Sequence, residues 1–156
     1  MSDPGTAQDA RGGWRQDLAT AAILLALAAI GLATNQPVLL APFAASAVSI
    51  AMTPLAAGAA PRTVLLAYLI AAASGVVVLV PKWDAVEGHW LAATAATVLA
   101  LRVMRLSKAV HLPATAMPVL IGASSAPALT MMLPVALGTV VLVALSGVAR
   151  RLAASS

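Results

Sequence analysis

The sequence predicts an all-α integral membrane protein. Of its 156 residues, 62% are hydrophobic and only 9% are charged, and the mean hydropathy is +0.98. Soluble domains carry about 25% charged residues, so this chain has too few polar side chains to cover a surface in water. Its apolar residues are mostly Ala, Leu and Val. These residues favour helices, and backbone groups in lipid must be paired within the spanning segment, so the spanning elements are predicted to be helices.

Six apolar runs follow one another, at 18–34, 38–53, 62–80, 90–106, 113–125 and 129–149. Pro42 interrupts the second run, and the fifth, opened by Pro113, would be only about 20 Å long as a helix. Because the hydrocarbon core is about 30 Å thick, we predict that these two segments are short or broken. The expected organisation is a mobile cytoplasmic tail at 1–16, a single transmembrane domain at 17–151 and a C-terminal tail at 152–156.

The basic residues predict the topology. If all six runs cross and the N-terminus is cytoplasmic, eight of the nine Lys and Arg residues lie on the cytoplasmic side, and only Lys82 in the polar loop 81–89 lies outside. If the second and fifth runs were re-entrant, Arg62 and the cations at 102–108 would lie opposite the termini. The positive-inside rule therefore favours six crossings of the inner (plasma) membrane, with both termini cytoplasmic.

A faint internal repeat relates the two halves of the chain. Four elements recur 71 to 73 residues later: Pro42, Pro54, Pro61 and Ser74-Gly75-Val76 correspond to Pro113, Pro127, Pro134 and Ser146-Gly147-Val148. Each copy holds three segments, and an odd number of crossings inverts the second copy. Inverted repeats with broken helices are typical of transporters and channels, whose substrate site lies where the repeats meet. We therefore predict two inverted three-segment repeats, with the second and fifth segments meeting near the middle.

Two places resemble the HPP family of small membrane proteins. The stretch 41–48 (APFAASAV) is similar to the family's Gly-Ser-Phe-Gly-Ala-Ser-Ala-Val, and Pro-Leu-Ala at 54–56 and Ala-Pro-Arg at 60–62 follow it in the family's order. His111-Leu112-Pro113 stands where the His-Pro-Pro signature would fall, although its middle proline is Leu112 and the glycines that usually follow are absent. Some members are linked to nitrite transport. The resemblance therefore implies a membrane transporter or channel for a small inorganic anion, with nitrite as the first candidate.

The candidate substrate-binding residues lie at the two proline-led segments. His111 changes charge near neutral pH and could hold an anion or relay a proton, or it could only cap the membrane interface. Helix N-termini at Pro42 and Pro113 would offer unpaired N–H groups to an anion. Hydroxyl groups here could line a polar path or bond to their own helices. With the positions that the resemblance adds, the predicted set is His111, Pro113, Thr115, Ser46, Pro42, Phe43 and Arg62.

Three further cations precede this site. Arg102, Arg105 and Lys108 are spaced three apart, which would place them on one helix face. They could attract an anion to the mouth of a path, or they could set the topology and contact lipid headgroups.

Several functions are not expected. No acidic residue lies in an apolar run and there is no cysteine, so we expect no enzyme, no cofactor and no metal site. The expected partners are membrane lipids and a small anion, not nucleic acid, and the many small residues would permit a homo-oligomer. A second function stays open, that of a non-transporting membrane protein that packs against partners through its Ala, Gly and Ser faces.

Overall fold

The computed structural model describes residues 5–35, 40–79, 86–124 and 128–154. This part of the chain forms α-helices and no strand, which confirms the all-helical prediction. The six helices are α1 (Gly5–Ala33), α2 (Leu40–Met52), α3 (Pro61–Leu79), α4 (Val86–Leu106), α5 (Met117–Ala123) and α6 (Met132–Ala154). Short 3-10 turns precede α3, α5 and α6, at Ala57–Ala59, Leu112–Ala116 and Ala128–Met131.

Helix bounds depart from the apolar runs mainly towards the chain ends. α1 begins at Gly5 and so includes most of the predicted tail 1–16, while α6 continues to Ala154. An apolar run marks the part of a helix that lipid can cover, and a helix can extend beyond that part into water. α4 begins at Val86, inside the predicted loop 81–89, whose first five residues lie outside the described residues. The division into domains stays a prediction.

The second and fifth segments are short, as predicted. α2 has 13 residues, and the fifth segment is broken into the turn Leu112–Ala116 and the seven-residue α5. The break has a local cause, because Pro118 has no N–H to donate to the carbonyl of Ala114. The N–H of Met117 donates to that carbonyl instead, in the tighter 3-10 pattern.

α4 ends at Leu106, and its end separates the predicted cluster of cations. The N–H of Ala109 donates to the carbonyl of Met104 at 2.9 Å, and that of Lys108 to the carbonyl of Arg105 at 3.2 Å. These are the two bonds of a Schellman motif. Lys108 takes the left-handed position of the motif, with φ 55°, which glycine usually occupies. The prediction that Lys108 continues the helix face of Arg102 and Arg105 is therefore wrong.

Small residues let the helices approach closely around a few large side chains. Ala47, Ala67, Ala71 and Ala100 are fully buried. Between them lie the largest buried side chains, which are Tyr68, Leu27, Ile50, Met104, Met117, Met131 and Leu142. α3 is central to this core, because it contacts α4, α5 and α6.

Large apolar side chains also cover the outside of the bundle. Leu25, Leu32, Val77, Leu91 and Val140 each expose more than 60% of their surface, and such an exterior is suited to lipid. By length and apolar composition, one helical stretch of the described residues is sufficient to cross a membrane, at 129–154, with mean hydropathy 2.2. Four shorter apolar helical stretches accompany it, which are Thr20–Ala33, Leu40–Met52, Pro61–Val77 and Leu112–Ala123.

Hydrogen bonds bring three parts of the chain to one end of the bundle. Residues 53–60, hereafter the connector, join α2 to α3. Arg150 near the end of α6 donates through Nη1 to the carbonyls of Pro54 and Ala56, each at 3.2 Å, and the Ser146 hydroxyl donates to the carbonyl of Ala59. His111, which follows α4, bonds to Gly58 of the connector. The ends of α4 and α6 and the start of α3 therefore share one end, which we name the basic end.

Candidate functional site

His111 is buried at the basic end and uses both of its ring nitrogens. It lies in the connection between α4 and the 3-10 turn Leu112–Ala116, with 3% of its surface exposed. Nδ1 is 2.9 Å from the carbonyl oxygen of Gly58, and Nε2 is 2.8 Å from Oγ of Ser46. Because a carbonyl oxygen only accepts, Nδ1 carries a proton. His111 is thus fixed in orientation by one backbone group and one hydroxyl group.

The hydrogen bonds continue from Ser46 into the bundle. Oγ of Ser46 is 2.7 Å from the hydroxyl oxygen of Tyr68, and that oxygen is 3.0 Å from the carbonyl oxygen of Pro42. Ser46 and Tyr68 are almost completely buried. These groups form one polar chain that runs from Gly58 through His111, Ser46 and Tyr68 to Pro42, hereafter the polar chain. It joins the connector, α2, α3 and the segment before α5.

Helix positions place three members of the polar chain, Pro42, Ser46 and Tyr68. Pro42 and Ser46 are four residues apart on α2, so they share one face of that helix. Tyr68 lies on the buried face of α3 between Val64 and Ala71, both of which have no exposed surface. None of the described side chains in this region is a carboxylate, since all five Asp and Glu residues lie outside the side chains that the structure describes.

Burial controls the ionisation of His111. Removal from water lowers its pKa from the ordinary value of 6.5, and the hydrogen bond to Gly58 opposes that change in part. Burial disfavours the charged imidazolium, so the neutral ring is favoured at neutral pH. Protonation is therefore easiest on the acid side of neutrality, or when an anion lies nearby.

A stacked aromatic pair, Phe43 and Tyr68, lies at the Pro42 end of the polar chain. The ring of Phe43 stacks on that of Tyr68, with centroids 5.1 Å apart and planes 22° apart. The other side of Phe43 lies against Gly138 of α6, where a Cβ atom would come within 2.5 Å of the ring. Gly138 thus provides the space that Phe43 occupies, and Phe43 holds Tyr68 in position.

The structure brings four of the seven predicted residues together. His111, Ser46 and Pro42 belong to the polar chain, and Phe43 packs against it. The second segment therefore meets the beginning of the fifth.

The other three predicted residues do not join the polar chain. The Thr115 hydroxyl donates to the carbonyl of Leu112 at 2.7 Å, so it bonds back to its own turn. Pro113 is half-buried in that turn, and Arg62 is exposed at the start of α3. The fifth segment begins with a 3-10 turn at Leu112, with Pro113 in its first positions, and its α-helical part begins only at Met117.

Sequence reasoning missed Tyr68, Gly58, Ser146 and Arg150. Tyr68 left one signal, as the only tyrosine in the chain and placed inside an apolar run. A buried tyrosine normally needs a hydrogen-bond partner, so its position indicated a polar contact within the membrane part. Gly58, Ser146 and Arg150 each form a hydrogen bond with a residue at least 53 positions away in the sequence. Among the described residues, no three His, Cys, Asp or Glu side chains lie together as a metal site would require.

An apolar exterior around a buried polar chain defines the class, a helical membrane protein. Within that class, a family model described as HPP, transmembrane region, matches residues 8–156. The chain therefore belongs to the HPP family, and the resemblance found in its sequence is confirmed. No match was found among curated proteins or among solved structures.

Proposed function

We propose that this HPP-family protein transports a small inorganic anion across the plasma membrane, with nitrite as the first candidate, and that it catalyses no chemical reaction. The observation that carries the proposal is the buried His111 and its polar chain at the start of the broken fifth segment. An ionisable group within a membrane protein is costly to bury and usually marks a substrate or proton pathway.

Helix contacts support the inverted repeat, an organisation that is common among transporters. Suppose that α1, α2 and α3 exchange places with α4, α5 and α6. The contact α1–α2 then becomes α4–α5, α1–α6 becomes α3–α4, and α2–α6 becomes α3–α5, while α3–α6 is unchanged. These are all the pairs of α-helices in substantial contact among the described residues. The contact pattern is therefore the one expected if a two-fold axis relates the two halves.

The bonds of Arg150 support six crossings with both termini cytoplasmic. Six alternating segments place the connector and the end of α6 on the same side of the membrane, where Arg150 reaches Pro54 and Ala56. Re-entrant second and fifth segments would place them on opposite sides. The positive-inside rule then makes the basic end cytoplasmic.

Exposed cations at the basic end would attract the anion. Arg62, Arg105 and Lys108 are exposed there, and they raise the local concentration of anions without holding one tightly. His111, once protonated, would be the first buried group that an entering anion meets. The small residues at the helix contacts would also allow a homo-oligomer in the lipid bilayer.

Uptake into proteoliposomes tests this function. We expect the purified protein to admit nitrite faster than protein-free liposomes do, with nitrate and chloride as competing anions. Ser46→Ala should reduce nitrite uptake about tenfold or more, because a hydrogen bond to a charged group contributes about 1.5–3 kcal/mol. Thr97→Val is the matched control, since the Thr97 hydroxyl bonds only to Ala93 of its own helix.

Two results would contradict the proposal. The first is folded wild-type protein that admits none of the three anions, which would favour the packing function. The second is equal uptake by the Ser46→Ala and Thr97→Val variants.

A further inference from the structure

The polar chain has fewer hydroxyl protons than contacts. The carbonyls of Gly58 and Pro42 only accept hydrogen bonds, and the hydroxyls of Ser46 and Tyr68 supply one proton each. Nδ1 of His111 provides the proton for Gly58. Three contacts remain: Nε2 to Ser46, Ser46 to Tyr68, and Tyr68 to Pro42. Which atom donates the hydrogen bond in each of these contacts depends on whether Nε2 of His111 carries a proton.

With neutral His111, the hydrogen bonds point towards the histidine. Tyr68 donates to Ser46, and Ser46 donates to the bare Nε2. The carbonyl of Pro42 receives nothing from Tyr68, yet it lies inside α2, where the backbone N–H four residues later is its regular partner. Each side chain of the polar chain therefore has a partner in this state.

With protonated His111, the same atoms can point the other way. Nε2 donates to Ser46, Ser46 donates to Tyr68, and Tyr68 donates to the carbonyl of Pro42 at 3.0 Å. Only the two hydroxyl hydrogens turn, and no heavy atom has to move. In this state all four contacts carry a proton.

We propose that the polar chain is a proton-binding site, which takes one proton from water at the basic end onto Nε2 of His111 and reverses its hydrogen bonds in response. No bond between heavy atoms forms or breaks and no electron is transferred, so the protein gains one proton and one positive charge. If the proposed anion transport is correct, the bound proton and the anion would cross the membrane together, with no net charge.

All charged side chains that the structure describes on the surrounding elements are positive. On α3, α4 and α6 they are Arg62, Arg102, Arg105, Arg150 and Arg151, and Lys108 follows α4, while the side chain of Glu87 at the start of α4 lies outside the described ones. α2, the connector and the 3-10 turn Leu112–Ala116 carry no charged residue. Tyr68 is the other titratable group that faces His111, with ring centroids 6.1 Å apart.

The positive charges around His111 explain why a bound anion would favour protonation of the ring. No described negative charge balances the imidazolium, and burial also opposes it. An anion beside the ring would supply that charge and raise the pKa of His111. By thermodynamic linkage, the bound proton would strengthen anion binding by the same factor.

The test is a titration of His111 by nitrogen-15 NMR of labelled histidine in lipid bilayers. The chain has two histidines, so His89→Gln leaves His111 as the single signal in the full-length protein. At high pH we expect a neutral ring with its proton on Nδ1, and on acidification a second proton on Nε2. Tyr68→Phe removes the acceptor of the Ser46 proton and should lower the titration midpoint by about half to one pH unit. Thr97→Val should leave the midpoint unchanged.

Two outcomes would overturn the proton site, namely a neutral ring protonated on Nε2 and a midpoint that Tyr68→Phe does not move. The first needs no variant in the polar chain, so it remains decisive if Tyr68→Phe fails to fold. The link with transport is tested separately by adding sodium nitrite, which should raise the midpoint. If nitrite leaves the midpoint unchanged while Tyr68→Phe lowers it, the coupling is overturned and the proton site is supported.

Discussion

Replacement of Gly138 by alanine should destabilise the protein by disturbing Phe43. A Cβ atom at this position would lie 2.5 Å from two ring atoms of Phe43 and 2.9 Å from a third. Carbon atoms in contact are about 3.5–4.0 Å apart, so the ring has to move by about 1 Å or more. It cannot do so freely, because Phe43 is 97% buried and stacks on Tyr68.

The expected magnitude follows from two opposing effects. Overpacking of a well-packed core costs about 1–3 kcal/mol, whereas alanine favours a helix interior over glycine by about 0.8–1 kcal/mol. We therefore expect Gly138→Ala to lower the free energy of unfolding by about 0–2 kcal/mol. Gly147→Ala is the matched control on the same helix, because nothing lies within 4 Å of its Cβ position. That variant should be about as stable as the wild type or up to about 1 kcal/mol more stable.

Reversible unfolding in mixed micelles, followed by circular dichroism, measures both variants. Phe43→Leu in the Gly138→Ala background should recover part of the lost stability, since it removes the atoms that clash. Equal stability of the Gly138→Ala and Gly147→Ala proteins would refute the argument that Phe43 fills the space at Gly138.

Three other predictions concern the basic end and the topology. Single cysteines at Ala7 and Ser155 should resist a membrane-impermeant reagent in intact cells while one at Ala85 reacts, and the reverse pattern would contradict six crossings from a cytoplasmic N-terminus. Lys108→Gly should raise the free energy of unfolding by about 1 kcal/mol, because a side chain in the left-handed region is strained; an unchanged midpoint of chemical unfolding would contradict this. Arg105→Ala should weaken the salt dependence of nitrite uptake and leave its pH dependence unchanged, as expected of a group that attracts anions from a distance; an unaltered salt dependence would exclude that role.

Composition and local pattern predicted the helical class and the short segments. The prolines at 42, 113 and 118 are local signals, and their effect on a helix does not depend on the rest of the fold. The approach of the second segment to the start of the fifth was predicted as well, from the prolines in both segments and from the repeat. The predicted apolar run 90–106 ends at Leu106, and α4 ends at the same residue.

Contacts between distant residues could not be predicted from one sequence. Tyr68 meets Ser46 across 22 positions, and Arg150 meets Pro54 across 96. Neither partner carries a local signal for the other, because a hydroxyl or a carbonyl can find many partners. Thr115 shows the same limit, since its hydroxyl bonds within its own turn although its position resembles that of Ser46.

Nitrite uptake as a function of pH tests the central role of His111 most directly. Uptake by wild-type and His111→Ala proteoliposomes is measured from about pH 5.5 to 8, after subtraction of entry into protein-free liposomes. Because burial lowers the pKa of His111 from 6.5, wild-type uptake should rise as the pH falls towards and below that value. His111→Ala should show low uptake that does not vary with pH. A His111→Ala profile identical to that of the wild type would contradict the account and leave the histidine as a buried structural group.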